Sequence, residues 1–233
     1  MRARVLCVAF LALAGNLGAQ ATMVPGTAVI APPKAPKGPT KAEFRVGGFM
    51  LSGERNYDFI TGGVQTATGS IKGVEVLLRA PGIGVFVRSL SGTFGTQPKI
   101  ISADARLLLF PPVFTIFGGV GKRALSSPIS TKVYDVIMGG ISSTVSIGGT
   151  GLRTHISGAF IVSPNKSATG AAAVKPTNGI DAEAAIFYRF PGLPLFMSVG
   201  YRTEVFNAKS GTILAPEEVR GLRVGAGFQF GGR

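Results

Sequence analysis

The sequence predicts an all-β protein: a closed antiparallel up-and-down transmembrane β-barrel of ten strands, with eight as the alternative count. Three observations carry this expectation. The chain is built from segments of period two, its charges fall on one phase of those segments, and it is apolar without any helix long enough to cross a membrane. The clearest segment is 179–206. Ile180, Ala182, Ala184, Ile186, Tyr188 and Phe190 alternate with Asp181, Glu183, Ala185, Phe187 and Arg189. After Pro191-Gly192-Leu193, Leu195, Met197, Val199, Tyr201 and Val205 alternate with Ser198, Gly200, Arg202 and Glu204. Period two puts each set on one face of a sheet. One face is almost wholly apolar and the other carries both signs of charge. Such a pattern suits a soluble sheet, or a barrel whose apolar face is turned outward.

Residues 1–21 read as a secretory signal peptide. Arg2 and Arg4 form the positive start, Val5 to Ala14 the apolar core, and Ala19-Gln20-Ala21 a small-x-small cleavage site. That core is too short to span a bilayer. The single cysteine, Cys7, lies within it. The mature chain therefore has no disulfide, cysteine nucleophile or cysteine metal site. Residues 22–41 hold Pro25, Pro32, Pro33, Pro36 and Pro39 among Lys34, Lys37 and Lys41. They read as a flexible, extended periplasmic segment before a barrel at 42–233. The formal net charge is +13. An exported chain rarely meets nucleic acid, so anionic lipid head groups or envelope polysaccharide are the expected partners. The richest apolar run outside the signal, 107–114, is broken by Pro111 and Pro112. A hydrophobic exported chain without a spanning helix leaves the closed barrel as its membrane form.

The strands are expected near 43–54, 70–80, 83–92, 99–110, 113–122, 132–142, 151–162, 180–190, 194–206 and 219–230, close to the length a tilted strand needs to cross hydrocarbon. The connections at Pro81-Gly82, Pro111-Pro112 and Pro191-Gly192-Leu193 are tight, and that at 143–150 is intermediate. Those at 55–69, 93–98, 123–131, 163–179 and 207–218 are longer. Short turns on one side and long loops on the other put both ends on the short side and require an even number of strands.

With the apolar phase outward, the inward charges are Arg45, Glu75, Arg79, Arg88, Asp104, Arg106, Asp135, Arg153, Asp181, Glu183, Arg189, Arg202, Glu204 and Arg223, joined by His155. Lysine behaves differently: Lys99, Lys122, Lys132, Lys166, Lys175 and Lys209 fall in loops or at strand ends. Only Lys72 takes the outward phase, near a strand end where it can snorkel. Arginines with carboxylates inside and lysines at the rim predict a lumen filled by bidentate ion pairs. A soluble ligand-carrying barrel would have the reverse, an apolar interior. A secreted β-sandwich would simply wet its charged face. Charge-free faces such as Ile101, Ala103, Ala105, Leu107 and Leu109 favour the barrel over it.

On these residues the chain resembles the bacterial outer-membrane β-barrel family, in particular small OmpA-like transmembrane domains, over about residues 42–230. The last strand, Gly221-Leu-Arg-Val-Gly-Ala-Gly-Phe-Gln-Phe230, resembles that family's C-terminal insertion signal, with Phe228 and Phe230 facing outward. The chain departs from it by adding Gly231-Gly232-Arg233. The resemblance implies the outer membrane as location, and outer-membrane lipid and the barrel-assembly machinery as partners. With no tryptophan in the chain, an interfacial girdle must use Phe44, Phe114, Tyr188, Phe190 and Phe230.

Chemistry is sparse. One histidine excludes a multi-histidine metal site, and no cofactor is expected. His155 and Ser157 share a strand face and are similar to the His-x-Ser pair of outer-membrane lipid deacylases, with Asp181 or Glu183 as the acid. Gly158 stands where that family tends to have Asn, and the phase puts the pair in the lumen, away from lipid. These residues are expected to serve the lumen network, not catalysis. The run Phe117-Gly-Gly-Val-Gly-Lys122 lacks the spacing of a phosphate loop, and Glu217 and Glu218 read as solvated loop residues. Three roles remain: a structural or surface-interaction barrel, which is the preferred reading; a narrow, weakly anion-selective pore; or a lipid hydrolase. In the first, Lys99, Lys122, Arg123, Lys132, Lys166, Lys175 and Lys209 would meet lipopolysaccharide phosphates.

Overall fold

The computed structural model describes residues 41–233 except 60–62, 96, 98, 110–113, 127–130, 148, 165–174, 211–212 and 233. The signal peptide expected at 1–21 and residues 22–40 of the expected periplasmic segment lie outside the described residues. Ten strands run in order: β1 (Glu43–Phe59), β2 (Gly63–Ala80), β3 (Ile83–Phe94), β4 (Ile100–Leu109), β5 (Thr115–Ser126), β6 (Thr131–Ile147), β7 (Leu152–Val162), β8 (Lys175–Arg189), β9 (Leu195–Ser210) and β10 (Ile213–Gly231). Each pairs antiparallel with its sequence neighbour, and β1 closes the ring on β10. The first and last strands meet with Glu43 opposite Gly231 and Phe44 opposite Phe230, so both ends of the barrel sequence lie at one mouth. That mouth is called terminal here, and the other distal.

Closure removes the sheet's edges, so every strand finds two partners. The terminal mouth carries the tight connections at Pro81-Gly82 and Pro191-Gly192-Leu193, while that expected at Pro111-Pro112 lies outside the described residues. Pro81-Gly82 joins β2 to β3 in two residues, with Gly82 at a φ of 83° that suits glycine. The intermediate link at 143–150 is mostly strand, because β6 continues to Ile147 and β7 begins at Leu152. On the distal side the strands run on past their expected ends. β1 reaches Phe59 and β2 begins at Gly63, so the loop expected at 55–69 is mostly hairpin. Likewise β10 begins at Ile213, six residues before its expected start at 219.

Alternation sets the two surfaces. Odd-numbered residues of β1, β2, β5, β7, β8 and β10, and even-numbered ones of β3, β4, β6 and β9, point inward. Along β10, Leu222, Val224, Phe228 and Phe230 are 41–51% exposed while Arg223 is 2% exposed. The run from Leu222 to Phe230 covers roughly 20 Å of barrel height at about 3.3 Å per residue and a tilt of about 40°, most of the ~25 Å apolar band of membrane barrels. At the terminal end Phe44 stacks on Phe230 at 6.2 Å, and Tyr188 meets Phe190 edge-on at 5.0 Å. Both pairs belong to the expected aromatic girdle. Beyond the band on the distal side the outward phase turns polar, with Glu54 accepting from Arg220 at 2.8 Å and Asn56 meeting Thr66 and Glu218.

The interior is not uniformly polar. Phe49, Leu51, Ile71, Leu90, Phe94 and Ile100 form one apolar cluster, and Val136, Met138, Ile161 and Phe206 another. Glycines make room for the larger of these side chains. A Cβ on Gly73 would lie 2.4 Å from the Phe49 ring, and one on Gly47 would lie 2.8 Å from the Phe196 ring. By contrast, a Cβ on Gly158 would meet nothing within 4 Å. Gly73→Ala is therefore expected to lower stability by about 1–3 kcal/mol, as overpacking does. Gly158→Ala, also in a strand, should be neutral or slightly stabilising. Urea unfolding of the two variants measures the difference, and equal midpoints would contradict this packing.

Candidate functional site

The strand phases gather charge at mid-lumen. Arg88 on β3 donates to Asp181 on β8 at 2.7 Å and lies 3.5 Å from Glu183. β3 and β8 stand opposite each other in the ring, so this pair crosses the lumen's diameter. Asp181 also accepts from Arg106 at 2.9 Å and from Arg202 at 2.8 Å. Asp104 receives Arg106 at 2.7 Å, with Arg88 at 3.3 Å and Arg123 at 3.5 Å. Arg123 on β5 reaches over to Glu204 on β9 at 2.7 Å, and Glu204 also holds Arg202. Arg223 on β10 bonds Glu75 on β2 and lies 3.2 Å from Glu183 on β8. The result is one continuous web of alternating sign across eight strands, once Arg45 on β1 joins at Glu75 (3.8 Å).

Aromatic faces support the cations. The Arg106 guanidinium lies 5.5 Å from Phe86 and 5.0 Å from Phe117, and Arg223 lies 4.5 Å from Phe49. Arginine suits this place because its fork feeds two acceptors at once and its flat face tolerates an aromatic neighbour. Taking such charges out of water costs several kcal/mol per ion, and only close, multiply hydrogen-bonded pairing offsets it. The web is thus stable as a whole and costly to break at any node. On either side lie small cavities, of about 30 Å³ distally and about 100 Å³ towards the terminal mouth.

Most of the expected lumen residues take this place: Arg45, Glu75, Arg88, Asp104, Arg106, Asp181, Glu183, Arg202, Glu204 and Arg223. Arg79 and Arg153 instead flank Glu43 at the terminal mouth, at 3.9 and 4.0 Å. Arg189 is also there, donating to the carbonyls of Gly231 (2.7 Å) and Gly232 (3.3 Å), and Arg153 donates to that of Gly232. These contacts hold Gly231 and Gly232, and the Gly232 N–H also donates to the Ala42 carbonyl at 3.0 Å. Phe228 and Phe230 face outward, as their resemblance to an insertion signal implies.

Asp135 is a correction. It points outward and accepts from Lys122 across β5 and β6 at 2.8 Å, both side chains being more than half exposed. The inward phase of β6 is Tyr134, Val136 and Met138, all buried, and the last two cluster with Ile161 and Phe206. Arg123 is the converse correction. Because β5 continues to Ser126, this expected loop cation is 4% exposed and sits in the web. Glu217 leaves the loop too, pairing with the fully buried Arg55 at 2.9 Å. Glu43 and Gln229, bonded at 2.9 Å, complete the terminal layer. Period two alone reveals Arg55, Arg123 and Glu217 once strand ends are drawn longer. The side chains of Lys132, Lys175 and Lys209, and the whole of Lys166, lie outside the described residues.

His155 and Ser157 line the 100 Å³ lumen cavity. The His155 Nδ1, which a triad would turn to an acid, lies 2.9 Å from the Thr144 hydroxyl. Both oxygens of Asp181 are taken by arginines. Among the described residues no group of His, Cys, Asp and Glu is arranged to hold a metal ion.

Fold and interior together define a closed ten-stranded barrel with an apolar outside and an ion-paired inside. No family model matches the chain, and no curated protein matches it. Among solved structures it is similar to the crystal structure of Neisserial surface protein A, at 12% identity and a TM-score of 0.35, over 80% of this chain and 97% of that one. It is also similar to the outer membrane channel DcaP of Acinetobacter baumannii, at 9% identity and a TM-score of 0.26, over 85% and 98%. At such scores neither likeness bears on function, and the fold rests on strand order and register.

Asp181→Asn leaves Arg88, Arg106 and Arg202 short of one shared carboxylate and is expected to destabilise the barrel by about 3–5 kcal/mol. Lys122→Gln, which breaks an exposed pair, should cost less than about 1 kcal/mol. Denaturant unfolding of both variants tests the ranking; similar losses would contradict the web's role.

Proposed function

We propose that the chain is an integral barrel of the bacterial outer membrane, exported with a cleaved signal peptide, whose sealed lumen suits it to a structural or surface-interaction role in the envelope. The observation that supports this most is the inversion of polarity. Val199, Tyr201, Val224 and Phe228 are 41–50% exposed, while Arg88, Arg202 and Arg223 are 2–3% exposed. A protein in water has no reason to expose a continuous apolar belt around a charged core. In hydrocarbon the same arrangement satisfies both surfaces, since closed strands leave no backbone group unpaired. Outer-membrane lipid would cover the belt, and the assembly machinery would read the outward Phe228 and Phe230. Lys99 and Lys122 are exposed candidates for lipopolysaccharide phosphates, whereas Arg123 is withdrawn from that role by its burial.

A narrow anion pore is the second reading, favoured by the arginines at the terminal mouth. The web across the diameter argues against steady flow, since a permeating ion would have to displace buried pairs. No enzymatic activity is proposed. The His155 and Ser157 pair faces the lumen, and Asp181, its candidate acid, is committed elsewhere.

Two measurements test the proposal. Folded in detergent, the chain should migrate differently on a gel before and after boiling, because closed membrane barrels resist detergent until heated. In planar bilayers it should show no steady conductance, whereas the triple variant Arg88→Ala, Arg106→Ala, Asp181→Ala should conduct. A well-folded preparation that stays soluble without detergent and shows no shift would reject the membrane assignment. Steady wild-type conductance would reject the sealed lumen.

A further inference from the structure

We propose that the outer face of β1–β3 holds the phosphate of a membrane lipid head group, on a patch built from Lys72 and its serine neighbours. Lys72 is exposed on the outward phase of β2. Ser91 stands directly opposite it on β3, and Ser70 shares its face two residues along β2. Ser89 and Ser52 take the diagonal places on β3 and β1, since they pair with Val74 and Ser70. Opposite and diagonal neighbours on one face of a sheet lie within about 8 Å, so these polar groups share one patch. Ser52, Ser70 and Ser89 are exposed and Ser91 is half-buried. By contrast, the outward phases of β4, of β7 and of residues 180–188 in β8 carry no charge.

What the patch lacks is an anion. Lys72 makes no hydrogen bond or ion pair with the described residues, and neither do the four hydroxyls. Other outward cations of the wall are paired: Lys122 with Asp135 at 2.8 Å, and Arg220 with Glu54 at 2.8 Å and Glu218 at 3.6 Å. Glu54 lies four residues beyond Met50, the residue facing Lys72, and is taken by Arg220. An ammonium among hydroxyls supplies a point charge and directional donors, the set from which phosphate oxygens accept. Depth identifies the source of that phosphate. Met50 in turn faces Val224, one outward step from Leu222, where the apolar run of β10 ends. Lys72 therefore stands at the distal edge of the belt, where its long stem reaches the head groups. Beside it Val74 is 58% and Met50 43% exposed, so acyl chains cover its terminal side. A phosphate carried on such chains arrives at this depth, on an open face that has no cavity to retain a free ion. The site presupposes the membrane barrel proposed above, and narrows lipid phosphate contact from scattered lysines to one patch.

With no native tryptophan, Val74→Trp beside Lys72 and Phe160→Trp on the opposite wall each report the lipid they touch. The full chain is refolded into phosphatidylcholine bilayers holding a minor fraction of brominated phosphatidic acid or, in parallel, of brominated phosphatidylcholine. Quenching should show the acid enriched roughly fivefold at Val74→Trp, as one lysine at a membrane surface allows, and not at Phe160→Trp. Lys72→Gln should abolish the enrichment and Lys72→Arg should retain most of it. Ser70→Ala with Ser91→Ala should at least halve it, with quenching by phosphatidylcholine unchanged. Equal quenching by both lipids at position 74, or enrichment indifferent to Lys72 or to the serines, would overturn the site and leave the membrane barrel standing. Equal enrichment on both walls would mean diffuse attraction to a basic chain and overturn it too. Loss of enrichment on adding inorganic phosphate, but not chloride at equal ionic strength, would make the ligand a free anion and reject the lipid. No quenching by either lipid at either tryptophan would reject the membrane barrel itself, and the site with it.

Discussion

The pairing of buried arginines with buried carboxylates is the interaction on which the rest of this barrel depends. Asp181 alone binds Arg88, Arg106 and Arg202, which come from β3, β4 and β9. No single strand pair can make such a node, so the web forms only when the ring is nearly complete. Its members cannot be left half-paired without a penalty of several kcal/mol. That couples closure of the sheet to burial of charge. The register of ten strands is thereby fixed from inside, where a one-residue slip would turn guanidinium groups outward.

The outer surface is the counterpart of this interior. Alternation forces every strand that delivers an arginine inward to offer its apolar phase outward, as Arg223 does between Leu222 and Val224. The apolar belt ends where that constraint ends. On the distal side Glu54 pairs with Arg220 and Asn56 with Glu218 on the outward phase, while the inner phase still buries Arg55. At the terminal side the belt closes on stacked aromatics, and the chain's last glycines are held by Arg153 and Arg189. The two mouths thus differ in chemistry: the distal rim is an outward ion-pair band, and the terminal one an inward cluster of arginines above a small cavity.

Much of this was legible in the sequence because period two is strict where one face meets the web and the other the belt. Asp181 and Glu183 beside Ile180 and Ile186 admit one orientation. The same logic gave ten strands, the tight turns and most of the web. It failed where both phases have similar polarity. β6 alternates Val133 and Ile137 with Tyr134, Val136 and Met138, so hydrophobicity does not select a face, and Asp135 was expected inside. Strand ends failed for a related reason. Beyond the belt both faces of β1 and β10 are polar, so the alternation fades although pairing continues. Arg55, Arg123 and Glu217 therefore read as loop residues. Glu43 and Gln229 were hidden differently, since their partnership depends on which strands close the ring.

The most direct test of the inverted polarity uses the absence of native tryptophan. Single tryptophans placed at Ile186 and at Phe187, adjacent in β8 and facing opposite ways, are refolded into bilayers whose acyl chains carry bromine. The account predicts strong quenching for Ile186→Trp and little for Phe187→Trp. Equal quenching, quenching only at position 187, or none at either would contradict a barrel that buries its charge and shows its apolar face to lipid.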